Sequence, residues 1–325
     1  MFVDSPLVLA LLVSGIIAAV LMLALWLGLD RAVARRLVLG AIIPAVAVAV
    51  PAAIGLPETA RGGVGAALLM LVLGGICGAI MDFAKLSERI TLAVAAVLLL
   101  LGAWLVLAAP VSGLSYHPGA IKALSWLAFL MIGGAFLWVT RPDFSEDDDA
   151  NDKPAKGKKT KAAKAKSAKA ASDAAITSED LAKPGPVAVL MTLALGQGII
   201  AHQFNLTDHV VFQAALWIAL IVAVVSEKAA PQYRAAVWLG VVSALMASAA
   251  SAMIVIPASC VAFAVLLLVV SASRAAGSIA GHLPDANPAQ AAVLAMVIRA
   301  GVLALPLVMA ALVAYVAAQA ASGLS

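Results

Sequence analysis

Ten times along this chain a run of roughly 20 mainly apolar residues recurs, the length at which an α-helix crosses the hydrocarbon core of a bilayer. The runs fall at 7–28, 37–56, 63–81, 90–109, 121–140, 186–202, 210–226, 235–252, 254–272 and 300–318. Lipid offers backbone amides no hydrogen-bond partner, so each run must satisfy its own N–H and C=O groups, and a helix is the structure that does so within one segment. Composition agrees. Of the 325 residues 64% are hydrophobic and 12% charged, with a mean hydropathy of +1.08. A soluble domain carries roughly 45–50% apolar and roughly 25% charged residues. The expected fold is therefore an all-α integral membrane protein of about ten spans.

Lysine and arginine set the orientation, because cytoplasmic loops collect them. With the N-terminus outside, the inner loops hold Arg31, Arg35 and Arg36; Lys85 and Arg89; Arg141 with the lysines up to Lys183; Lys228 and Arg234; and Arg274 and Arg299. Only Arg61 and Lys122 fall outside, so 19 of the 21 basic residues lie on one side. An even count places both termini outside. Met1–Pro6 carries Asp4 and no basic residue, and the apolar run behind it exceeds the roughly 7–15 residues of a signal-peptide core, so it reads as a first span. The 254–272 run begins directly after 235–252, with a tight connection around Ser251–Met253, and Pro257 is where one long kinked helix would bend instead.

Residues 141–185 divide the chain into five-span halves, 1–140 and 186–325. The divider is acidic at Asp143–Asp152 and Lys/Ala-rich at Lys153–Ala171, a composition that cannot bury enough apolar area to offset ordering entropy. It reads as a disordered cytoplasmic linker. The pI of 9.1 comes from this run and from span ends, a distribution that fits an anionic leaflet and not nucleic acid. Cys77 and Cys260 stand alone in apolar runs, without the spacing of a disulfide framework or a metal site.

No Asp, Glu or Lys lies mid-span, which argues against a proton- or ion-coupled carrier. Polar interest gathers at the cytoplasmic ends, above all in Gly74–Arg89, GGICGAIMDFAKLSER. Gly74 and Gly78 are spaced GxxxG, which lets a neighbouring helix approach closely. Asp82 follows where the span leaves the membrane, either as a juxtamembrane charge or as a carboxylate ligand for a divalent ion.

Segment Arg61–Leu107 resembles the polyprenyl-phosphate N-acetylhexosamine-1-phosphate transferases, membrane enzymes that move a sugar phosphate from a UDP-sugar to a lipid carrier. In that family a Gly-Gly pair precedes the third span, the span ends in Asp-Asp, and a Leu-Ser-x-Arg-like start opens the fourth. Here the pattern reads Gly62-Gly63, Met81-Asp82 and Leu86-Ser87-Glu88-Arg89. Gly134–Asp143, Ile254–Arg274 and Ile298–Gly301 resemble later family segments. The resemblance implies a cytoplasmic (inner) membrane location and Mg²⁺ held by Asp82. It also implies catalytic roles for Asp82 and Asp143, and substrate contacts from Arg89, Arg141, His282 and Asp285, with polyprenyl phosphate and UDP-sugar as ligands.

The departures are as informative. Met81 replaces the first acid of the pair, Arg141-Pro142-Asp143 stands where the family has Asp-Gly-x-Asp-Gly, no acid occurs near Val237–Gly240, Pro257 leads to no Asp, and the histidine loop is reduced to His282. A Mg²⁺-bound UDP-sugar needs clustered carboxylates to place the metal. The expectation is a degenerate, non-catalytic relative with a scaffold or binding role, with a protein partner or a second copy of the chain. Two alternatives stay open: an active transferase with altered site residues, and a lipid-handling or small-molecule transporter.

Overall fold

The computed structural model describes residues 5–30, 33–34, 37–59, 61–84, 86–108, 117–142, 185–225, 233–280, 282 and 288–322, and among them every regular element is helical. In chain order they are α1 (Pro6–Gly28), α2 (Ile42–Ile54, entered through a 3₁₀ turn at Val38–Ala41), α3 (Gly63–Ala84), α4 (Glu88–Leu107), α5 (Gly119–Val139), α6 (Pro186–Gln203), α7 (Thr207–Val225), α8 (Ala235–Val255), α9 (Pro257–Ile279) and α10 (Pro288–Ser322). Each of the ten apolar runs falls on one of these helices. Eight described helices are long and apolar enough to cross a membrane; Val38–Ile54 and Thr207–Ala223 are shorter apolar helices.

The boundaries have local causes. Pro6 and Pro186 open α1 and α6, where a missing N–H costs nothing. Asn205 turns the chain between α6 and α7 with φ 57, a left-handed conformation that Asn tolerates better than most residues. The connection between α8 and α9 lies later than Ser251–Met253. The helix continues to Val255 and breaks at Ile256 (φ −132, ψ 89), because the residue before a proline is pushed out of the helical region. The break separates two helices.

Packing divides the chain into two compact units. The first comprises Met1–Pro142, Gly185–Val270 and Ala304–Ser325, and α8 is its central helix: 78% of its span is buried, against 22% for α1 and for α5. Small residues line α8 (Ala244, Ala247, Ser248, Ala250, Ser251, Ala252), and they let α3, α4 and α6 pack on it, while α5 meets it near its start. In lipid, where apolar burial between helices gains nothing over the tails, such close van der Waals packing is the main source of cohesion. A π-helical turn at Trp238–Val242 interrupts α8. Trp238 there is fully buried, and its indole N–H donates to the Leu137 carbonyl at 3.1 Å. On the other side of the unit, α1 packs on α2 and α7, and the Ser14 hydroxyl donates to the Ala215 carbonyl at 2.7 Å. Leu12, Ile16, Val20 and Leu23 of α1 stay outward, as lipid-facing side chains do. The second unit comprises Asp143–Pro184 and Ser271–Leu303; its described part is the end of α9 and the start of α10. The linker from 143 to 184 lies outside the described residues.

Candidate functional site

Residues 74, 78 and 82 are spaced by four, so Gly74, Gly78 and Asp82 share one face of α3. That face lies against the first two turns of α8. A methyl group on Gly78 would run into the Ala235 carbonyl, and one on Gly74 into the Leu239 carbonyl. The contact is reciprocal: a Cβ on Gly240 would sit 3.0 Å from the Leu71 carbonyl oxygen and 3.1 Å from the Gly75 amide nitrogen. The close approach read from GxxxG is thus made with α8, and it carries Asp82 one turn further to the start of that helix.

There the Asp82 carboxylate is engaged by backbone. Its Oδ1 accepts from the Ala235 N–H at 3.1 Å and its Oδ2 from the Ala236 N–H at 2.9 Å. The first amides of a helix have no partner within it, and they carry its positive dipole end. Arg234, just before them, is extended and supplies no side-chain cap. Asp82, half-buried, caps α8 from a different helix with two charge-assisted bonds. At the C-terminal end of its own helix the same charge is unfavourably placed, so the gain comes from α8.

The stretch Val237–Gly240, which carries no acid, lies in the turns of α8 that follow the amides bound by Asp82. Val237 itself is buried and apolar. Arg89, in the first turn of α4, is exposed. Arg141 lies just past α5, bonds the Glu88 carboxylate at 3.2 Å and stacks over Trp138 at 4.1 Å. That pair is exposed, which limits its energetic weight. His282 belongs to the second unit, where its Nδ1 lies 2.7 Å from the Ser278 carbonyl oxygen. Asp143 and Asp285 fall outside the described residues. Among the described residues no three His, Cys, Asp or Glu side chains gather at metal-binding distance.

A second feature sits at membrane depth. One face of α5 (Ile121, Ser125, Ala128, Phe129, Ile132, Phe136) borders a cavity of about 590 Å³. From Ile121 to Phe136 the face runs about 22 Å at 1.5 Å per residue, most of a hydrocarbon core. Leu245, Met246 and Met253 of α8 form a second wall, and Cys260, Phe263 and Leu267 of α9 a third. The turn at Ile256 thus splays α8 and α9 apart around an apolar slot.

The slot has one deep polar wall residue, Gln197 of α6. Its Nε2 donates to the Leu245 carbonyl at 3.3 Å and its Oε1 accepts from Gln213 Nε2 at 2.8 Å. The Gln213 amide also donates to the Ser248 hydroxyl at 3.0 Å, and His209 Nδ1 lies 3.0 Å from the same hydroxyl. All four side chains are buried. The Gln213 Oε1 is buried with no partner among the described residues. This cluster carries no Asp, Glu, Lys or Arg that would mark it in the sequence. Uncharged amides inside apolar runs were the available signal, since a buried amide without partners is costly. His209 belongs to the first turn of α7 and is buried.

No family model, curated protein or solved structure matches the chain.

Proposed function

We propose that this chain is a ten-span protein of the cytoplasmic (inner) membrane, a non-catalytic relative of the sugar-phosphate transferases that binds a long-chain lipid carrier. Both termini lie outside, the 141–185 linker lies inside between two five-span halves, and the Asp82 end of α3 faces the cytoplasm. One observation carries the reading. The acid that survives from the family pair has both oxygens engaged by the first amides of α8, so its charge holds two helices together. An active enzyme would need that carboxylate directed at Mg²⁺ and joined by further acids. The apolar slot beside α5 suits a polyprenyl chain, and the scaffold role would be exercised through a protein partner or a second copy.

Two measurements test this. Purified protein given Mg²⁺, a UDP-N-acetylhexosamine and polyprenyl phosphate is expected to release no UMP but to retain the lipid in native mass spectrometry. Ala128→Trp, which fills the slot, should lower that retention by about tenfold. UMP release, or lipid retention untouched by the filled slot, would overturn the proposal. Topology is checked separately by thiol labelling in a cysteine-free background: Ser167→Cys should react only after the membrane is opened, and Ser115→Cys in intact cells.

A further inference from the structure

At the end of α3 opposite Asp82, the described residues between α2 and α3 (55–59, 61 and 62) form a rim. Gly55 (φ 84), Gly62 (φ 74) and Gly63 (φ 54) take left-handed conformations that other residues rarely adopt. The Thr59 hydroxyl donates to the Arg61 carbonyl at 2.9 Å, and the Gly62 N–H donates to the Leu105 carbonyl of α4 at 3.1 Å. A Cβ on Gly65 would collide with the Thr59 carbonyl, so the rim presses directly on α3. This bracing fixes Arg61, whose guanidinium lies 4.5 Å above the Trp104 ring.

The rim encloses a pocket of about 540 Å³. Arg61, Glu58 and Asp208 all line it, and among the described residues none of the three forms an ion pair with another. Opposite charges set around one pocket without pairing leave a cation-binding and an anion-binding side for a ligand that carries both. Stacking on Trp104 occupies one face of the guanidinium and leaves its N–H edge free for bidentate bonding to a phosphate. Leu56 and Val255, large and exposed, stand at the same rim. A pocket that joins both signs of charge to exposed apolar side chains, at the end of membrane-length helices, has the profile of a lipid headgroup region.

We infer that this pocket binds the headgroup of a zwitterionic phospholipid with a primary ammonium, of the phosphoethanolamine type, in the leaflet at the Arg61 end. The phosphate meets Arg61 and the ammonium meets Glu58 and Asp208, while the acyl chains leave past Leu56 and Val255. A primary ammonium has three N–H donors for two carboxylates; a quaternary one has none, and among the described residues no aromatic side chain lines the pocket to receive it. An anionic headgroup without an amine leaves both carboxylates unmatched.

The test uses the full chain in nanodiscs of phosphatidylcholine doped equally with phosphatidylethanolamine and phosphatidylglycerol of the same acyl chains, with the retained lipids read by native mass spectrometry. Phosphatidylethanolamine should be enriched over both by about tenfold. Arg61→Gln and, separately, the Glu58→Gln/Asp208→Asn pair should bring that ratio to about one, with thermal unfolding unchanged. Equal retention of the three lipids would overturn the assignment, and so would enrichment that both variants preserve. Soluble phosphoethanolamine binding to protein that shows no lipid enrichment would also overturn it, by pointing to a free metabolite. These outcomes are independent of UMP release, so this inference and the proposed function fail separately.

Discussion

The two ends of α3 treat charge in opposite ways. At one end Asp82 is tied to the first amides of α8 by two hydrogen bonds, on the face that Gly74 and Gly78 press against that helix. At the other end Arg61, Glu58 and Asp208 surround a pocket without pairing to one another. Both ends are glycine-rich, but the glycines do different things. Gly74 and Gly78 remove side chains so that two backbones can meet, whereas Gly55, Gly62 and Gly63 supply left-handed turns that build a rim. A charge engaged by backbone stabilises the fold; charges held apart around a pocket are available to a ligand.

Substitutions that damage the closed end should dominate stability. Gly78→Leu forces a branched side chain into the backbone of α8, where nothing can yield, and should cost about 3 kcal/mol or more, seen as loss of monodisperse protein in detergent. Asp82→Ala removes both charge-assisted bonds and should lower unfolding stability by about 2–3 kcal/mol; Asp82→Asn keeps one acceptor and should cost roughly half as much. A smaller effect is expected at the buried amide cluster. Gln213→Leu deletes two hydrogen bonds inside the bundle, each worth about 0.6 kcal/mol in a membrane, so a loss of about 1 kcal/mol should appear in thermal unfolding. At the open end Arg61→Gln should change stability by no more than about 0.5 kcal/mol, as exposed substitutions do. A drop at Arg61 as large as that at Asp82 would erase the contrast between the two ends.

Much of the fold was legible because span length is set by the bilayer: each apolar run announces a helix without tertiary information, and among the described residues eight such helices are long and apolar enough to cross. The GxxxG spacing announced a close crossing but not its partner, since α8 begins 153 residues beyond Asp82 along the chain. For the same reason Asp82 stayed open between a juxtamembrane charge and a ligand: a sequence shows that a carboxylate stands at a span end, but not which amides reach it. Gln197, Gln213 and Ser248 escaped notice because neutral polar residues barely lower the hydropathy of an apolar run. Only packing reveals that three helices bring them together. The mixed-charge pocket was hidden more deeply, for Glu58 lies between α2 and α3 and Asp208 in the first turn of α7, far apart along the chain, and only Arg61 stood out among the basic residues.

Thermal unfolding and UMP release, measured on the same preparations of wild-type and Asp82→Asn protein, separate Asp82 as a clamp between α3 and α8 from Asp82 as a catalytic ligand. A clamp gives a lower unfolding temperature for Asp82→Asn and no UMP release from either protein. UMP release by wild type that disappears in Asp82→Asn, at an unchanged unfolding temperature, would contradict it.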